Sequence, residues 1–154
     1  MNFEKILSPI QLNDPNSLDA LRLAQHLAAG SRSRIVLLHV VPNAMVKPDL
    51  PGYGDLFPKD EREVRRELVR LAGAHLSDGS YDIIVKSGDP AQVINSVAQE
   101  LGVDLIVIGT HGRRGLSHLI MGSVAEKVMR EAPCMVLTVR PQLAPRRDHL
   151  PVSA

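Results

Sequence analysis

The chain has 154 residues, 44% hydrophobic and 23% charged, a length and balance that fit one compact domain able to bury its own core. A formal charge of +1, 3% aromatic residues and no Trp exclude both a global basic field and the stacking platforms of a nucleic-acid binder. The single cysteine, Cys134, excludes an intramolecular disulfide and a four-cysteine zinc site. No apolar run approaches the roughly 20 residues of a bilayer span, and Met1-Asn2-Phe3-Glu4-Lys5 does not open a secretory signal. A soluble cytoplasmic protein with neither membrane nor nucleic acid as partner is expected.

In chain order, Ile6-Leu7 opens a short first strand after Phe3. Asn13-Asp14-Pro15 is a helix start, a capping side chain followed by proline at the first helical position. Leu21, Ala24, Leu27 and Ala28 then recur at helical spacing, and Gly30 stands where a C-terminal cap belongs. Ile35 to Val41 is short, continuous and rich in β-branched residues, as in a strand buried on both faces. Residues 42–58 are rich in Pro and Gly and predict a long mobile loop. Residues 59–76 predict an amphipathic helix, with Val64, Leu68, Leu71, Ala72 and His75 on one stripe and Arg62, Arg65, Arg66 and Arg70 mostly off it, a solvated charged face. Tyr81–Lys86 is more polar and suits an edge strand. Asp89-Pro90 repeats the cap-plus-proline signal before Val93, Ile94, Val97, Ala98 and Leu101, closed by Gly102. Leu105–Ile108 is another buried strand, 109–121 a glycine-rich loop, and Val124, Val128 and Ala132 mark a last helix stopped by Pro133. Cys134–Val139 is the last strand, and 141–154 a loose tail.

This alternation predicts a single-domain α/β fold: a five-stranded parallel, doubly wound sheet covered by helices on both faces. Ligands in such sheets sit at the carboxyl ends of the strands, at the switch point. Met135–Val139 is as apolar as an interior strand although it comes last. At an edge it leaves an apolar ribbon, and pairing with a second copy covers it. A homodimer through 134–139 is expected.

The stretch from Gly109 to Ser123 leaves a buried strand and returns at a helix start. Gly109 and Gly112 let the backbone approach a ligand closely. Gly122 and Ser123 stand at a helix N-terminus, where free N–H groups and the dipole favour phosphate, and Arg113 and Arg114 add charge at the mouth. The glycines alone leave a plain crossover loop and a phosphate cradle equally open. A P-loop is excluded, because no Gly-Lys-Ser/Thr appears. So is the dinucleotide fingerprint, because the first strand ends in Ser8-Pro9-Ile10-Gln11.

The spacing Gly109-x2-Gly112-x9-Gly122-Ser123 resembles that of the ATP-binding branch of the universal stress protein family. Lys5–Pro9, Leu38-His39-Val40, Gly88-Asp89-Pro90, Asp104–Gly109, Gly122–Ala125 and Ala132-Pro133-Cys134 are similar to the family's segments in the same order, so that 1–140 reads as one such domain. The resemblance implies a Rossmann-like fold of the adenine nucleotide alpha hydrolase type, dimerisation through the last strand, and ATP, with Mg²⁺ as counter-ion, as ligand. By position it implies that Gly109 and Gly112 pass the ribose and phosphates, with Ile108 before them and Arg113 beside them. Gly122, Ser123 and Val124 would bind phosphates, and Pro9, Val40 and Val41 would line the adenine pocket. Gln11 stands where the family usually has an acidic residue that holds the adenosine. It can still donate and accept hydrogen bonds, at a cost of roughly 1–2 kcal/mol of binding. Asp14 is the alternative acceptor, though the helix start is its expected task. Met135 replaces a proline frequent in the family.

Other candidates carry less. His39, in an apolar strand, reads as a satisfied buried histidine, and His111 and His118 as solvated loop residues. Ser8 lacks a nucleophile-elbow context and Cys134 reads as an inert packed thiol. Asp82, Asp89 and Asp104 are scattered, so no carboxylate pair is placed for acid–base chemistry or a metal. A stress-response protein that binds ATP as a regulatory ligand, and is not an enzyme, is expected. A nucleotide-independent interaction protein and a slow ATPase or self-phosphorylating protein are the alternatives.

Overall fold

Each β-branched run of the chain becomes a strand and each amphipathic run the helix that covers it. The computed structural model describes residues 3–30, 33–42, 61–76, 81–110 and 121–141. Their elements are β1 Lys5–Pro9, α1 Pro15–Ala29, β2 Arg34–Pro42, α2 Glu61–His75, β3 Tyr81–Gly88, α3 Pro90–Leu101, β4 Leu105–Gly109, α4 Ser123–Glu131 and β5 Met135–Val139. The five strands form one sheet in the order β3-β2-β1-β4-β5. All four pairings are parallel, with Leu7 opposite Val36 on one side and Ile106 on the other. The chain winds outward from β1 to β3, returns to the other flank of β1, and winds out again to β5. This is the predicted doubly wound sheet, with β1 at its centre.

Side chains alternate across the sheet, as a period of two requires. Leu7, Val36, Leu38, Ile106 and Ile108 form one core with Ala91, Ile94, Val97 and Ala98 of α3 and Ala125 and Val128 of α4. Ile6, Leu105 and Val107 meet Ala20 and Ala24 of α1, while Ile35 and Leu37 meet Leu21 of α1 and Val64, Leu68 and Ala72 of α2. Helices α1 and α2 thus cover one face, α3 and α4 the other.

The helix starts are as the sequence predicts. Asp14 caps α1, accepting from the amides of Asn16 and Ser17, with Pro15 in the first turn. Asp89 caps α3, accepting from Gln92 N, with Pro90 in the first turn. Gly102 ends α3 in the left-handed conformation, at φ 58°, where an L side chain is strained. Gly30 differs: it ends α1 at φ −86°, a right-handed conformation open to any residue, so no left-handed cap operates there. Strand β2 extends one residue beyond the predicted run at each end, and β3 runs on to Gly88, because the two pair continuously from Ile35–Tyr81 to Pro42–Gly88. Helix α2 ends at His75, one residue short of the predicted boundary, and β5 begins at Met135 rather than Cys134. The predicted loop beyond Pro42 and the tail beyond Pro141 lie outside the described residues.

The three scattered aspartates are structural. Asp104 Oδ2 accepts from the amides of Glu4 and Lys5, both at 2.8 Å, and fastens the start of β1 to β4. Asp82 pairs with Arg34 across β2 and β3. The Arg34 guanidinium holds the Asp82 carboxyl below its usual range, and the Gln92 amide, with Lys127 further off, does the same for Asp89.

Two outcomes are expected. Asp14→Ala should lower stability in urea unfolding by about 1–2 kcal/mol, whereas Asp14→Asn keeps most of the cap. Because the folded pKa of Asp89 is depressed, its contribution is complete above the ordinary carboxylate range and is lost as pH falls through the folded value. Asp89→Asn, which retains a capping oxygen but not the charge, should therefore flatten the acid limb of the stability–pH curve by lowering stability at neutral pH while leaving the acid value nearly unchanged.

Candidate functional site

The chain reverses direction at β1, so the connections leaving β1 and β4 diverge and open a crevice at their carboxyl ends. Pro9 and Gly109 end these two strands. Val40, Met121 and Val124 are half-buried against the core that contains Ile108, and buried Pro9 has the same strand parity as Leu7 in that core. Four of the sequence-predicted residues, Pro9, Val40, Ile108 and Val124, therefore share the α3/α4 face toward the carboxyl end of the sheet. Gly122 and Ser123 stand beside them at the start of α4.

The start of α4 has the geometry of an anion site. Gly122 is its N-cap, with extended backbone and no side-chain cap. The first intrahelical bond runs from Glu126 N to Gly122 O at 3.0 Å, so the amides of Ser123, Val124 and Ala125 have no acceptor within the helix. Gly122 N itself donates to Thr110 O at 2.6 Å. A Cβ at Gly122 would lie 3.0 Å from that same oxygen, so a side chain here presses on the strand exit.

Not every predicted residue joins this group. Val41 alternates to the opposite face of β2, where Ser87 is its neighbour in β3. Gln11 is exposed and lines a groove of about 270 Å³ between the β1–α1 turn and α2, with Asp14, Leu18 and Arg70 also on its walls. Its backbone amide donates to Ser17 Oγ. Asp14 is buried and committed to the cap, accepting from Asn16 N, Ser17 N and Ser17 Oγ at 3.2, 3.1 and 2.9 Å. Gly112, Arg113, Arg114, His111 and His118 lie outside the described residues. At Gly109 the need for glycine comes from α1: a Cβ would lie 2.6 Å from Asn16 Oδ1 and 3.1 Å from Asn16 O.

Asn16, Ser17 and Thr110 are the residues that sequence reasoning missed. They are buried polar side chains at the same end of the sheet. Asn16 Nδ2 donates to Val139 O at 3.1 Å, and Thr110 donates to that oxygen from both N and Oγ1. Their signal in the sequence is weak, a polar residue one step beyond a helix-start proline and one step beyond a strand-ending glycine.

The remaining candidates are accounted for by packing. His39 Nδ1 lies 2.7 Å from Ile10 O and ties β2 to the exit of β1. Half-buried Cys134 has its thiol pKa raised, first by burial and then by the Asp104 carboxylate, the opposite of an activated nucleophile. Among the described residues no three His, Cys, Asp or Glu side chains converge on a metal position, and no helix is long and apolar enough to cross a membrane.

Residues 2–140 match the model of the universal stress protein family. Universal stress protein A homolog 2 of Coxiella burnetii is 34% identical over 149 residues, covering 90% of this chain and 96% of that one. The solved structure of MJ0577, a universal stress protein of Methanocaldococcus jannaschii, has a TM-score of 0.78 at 25% identity and covers 94% of this chain and all of its own. A universal stress protein from Archaeoglobus fulgidus, solved in complex with dAMP, shares the fold with a TM-score of 0.58 at 23% identity, covering 90% of this chain and 99% of that one. With the family model spanning nearly the whole chain and relatives aligned over almost their full length, this chain belongs to the universal stress protein family.

Proposed function

We propose that the chain binds an adenine nucleotide, ATP with Mg²⁺ as counter-ion, as a regulatory ligand, that it acts as a homodimer through β5, and that it is not an enzyme. The observation that carries this reading is the uncapped start of α4 at the switch-point crevice. Its three amides without a helical acceptor and its positive dipole end suit a phosphate chain. The Ser123 hydroxyl, exposed at the first helical position, adds a donor. Pro9, Val40, Ile108 and Val124 offer an apolar wall of the kind an adenine ring packs against. Gly112 and Arg113 complete the cradle by the motif spacing of the ATP-binding branch, and the dAMP complex of a fold relative supports the same ligand class. Amides and apolar walls bind and orient a nucleotide without abstracting a proton, which is why regulation is favoured over turnover.

Dimerisation follows from the edge. Among the described residues, β5 has a neighbouring strand on one side only, and Met135 and Leu137 expose 48% and 37% of their surfaces. Burying such apolar area against a second copy stabilises by about 25 cal/mol per Å² before the costs of association. A nucleotide-independent interaction protein is the second reading. It is favoured by Gln11, which is exposed toward α2 and brings no negative charge to the ribose.

Calorimetric titration of ATP with Mg²⁺ should give micromolar binding that Gly122→Val abolishes, since the added side chain meets Thr110 O. No heat and no thermal stabilisation would select the interaction-protein reading. Leu137→Glu should convert a dimer in light scattering to a monomer, and a parent chain that is monomeric at micromolar concentration overturns the assembly.

A further inference from the structure

The last carbonyl of β5 is held by more than the sheet. Val139 O accepts from Asn16 Nδ2 of α1 at 3.1 Å, from Thr110 N at 2.9 Å and from Thr110 Oγ1 at 3.3 Å. Thr110 in turn accepts from Gly122 N at 2.6 Å through its own carbonyl. Asn16 and Thr110 are each only 3% exposed, so these bonds lie away from competing water, where an unmade bond is costly. Asn16 also fills the space that a side chain at Gly109 would take, which locks the residue preceding Thr110 against α1. Elsewhere along β5, the ladder to β4 is its only strand pairing among the described residues, and Met135 and Leu137 are exposed. The cap of the anion-binding helix and the exit of the edge strand thus hang on one residue, Thr110, with Asn16 as the second anchor.

We infer that Thr110 and Asn16 are positioning residues that couple nucleotide occupancy at the start of α4 to the seating of β5, the edge available to a second copy. The inference rests on the nucleotide reading above. A phosphate on the Ser123 and Val124 amides fixes Gly122, Gly122 fixes the Thr110 carbonyl, and Thr110 fixes Val139. By linkage, a well-seated β5 also raises nucleotide affinity. Neither partner needs to touch the nucleotide.

The test uses the full chain with ATP and Mg²⁺, read by calorimetry and by amide exchange. In the parent, ATP should slow exchange both at the start of α4 and across residues 136–140. Thr110→Val keeps shape and backbone N–H but removes the hydroxyl. It should bind ATP about three- to tenfold more weakly, the worth of one hydrogen bond, and show a smaller ATP-dependent slowing in β5, since the Thr110 N bond to Val139 O remains. Asn16→Ala should act in the same direction, and Thr110→Ser should restore both readouts. Ser33→Ala removes a buried hydrogen bond to Phe3 O at the far end of the sheet and should lower stability with ATP affinity unchanged. ATP binding that is equal in parent and variants, or protection of α4 without β5, overturns the coupling alone. No heat from the parent overturns the nucleotide reading and the coupling with it.

Discussion

A strand covered by helices on both faces has no water to turn to, so each of its backbone groups must be met by a neighbouring strand. Strand β1 is that strand. Ile6, Leu7 and Ser8 are fully buried, and the ladder flanks Ile6 and Leu7 with β2 on one side and β4 on the other. Two parallel partners for the first strand force the chain to wind outward, return and wind outward again. That reversal separates the connections at the carboxyl end of the sheet and leaves room there. The crevice is a consequence of satisfying β1, not an addition to the fold.

The two ends of the sheet satisfy their polar groups differently. At the amino end, Asp104 takes the amides of Glu4 and Lys5 while Lys5 Nζ donates to Leu101 O at 2.6 Å, so backbone and side chains pair among themselves. At the carboxyl end, Asp14, Asn16, Ser17 and Thr110 satisfy one another and the Val139 carbonyl. Among the described residues, no side chain caps the start of α4. An uncapped helix start keeps its partial positive charge for an anion.

The edges differ as well. Strand β3 carries Asp82, paired with Arg34 of β2, with side chains 44% and 54% exposed, an arrangement worth little as stability. Strand β5 carries Met135 and Leu137 instead.

Much of this was legible in the residues themselves. Hydrophobic periodicity and the Asp-Pro and terminal-glycine signals are local, so the nine elements and both aspartate caps could be read along the chain. The apolar character of Met135–Val139 also anticipated an exposed edge. Gly30 is the C-cap of α1 as read, in a right-handed conformation, because a glycine after a helix permits a left-handed cap without requiring one. Val41 and Gln11 were grouped with Pro9 and Val40 by position in the family resemblance, yet the alternation of a strand sends Val41 to the other face and a turn directs Gln11 toward α2. Asn16 and Thr110 were invisible for a different reason. A polar side chain has no periodic signature, and their shared acceptor lies 123 and 29 residues away along the chain. Strands and helices follow from local pattern, so the residues in order are enough to place them. The side chains that meet at the carboxyl end of the sheet do so through hydrogen bonds between distant segments, and these exist only once the winding has brought those segments together.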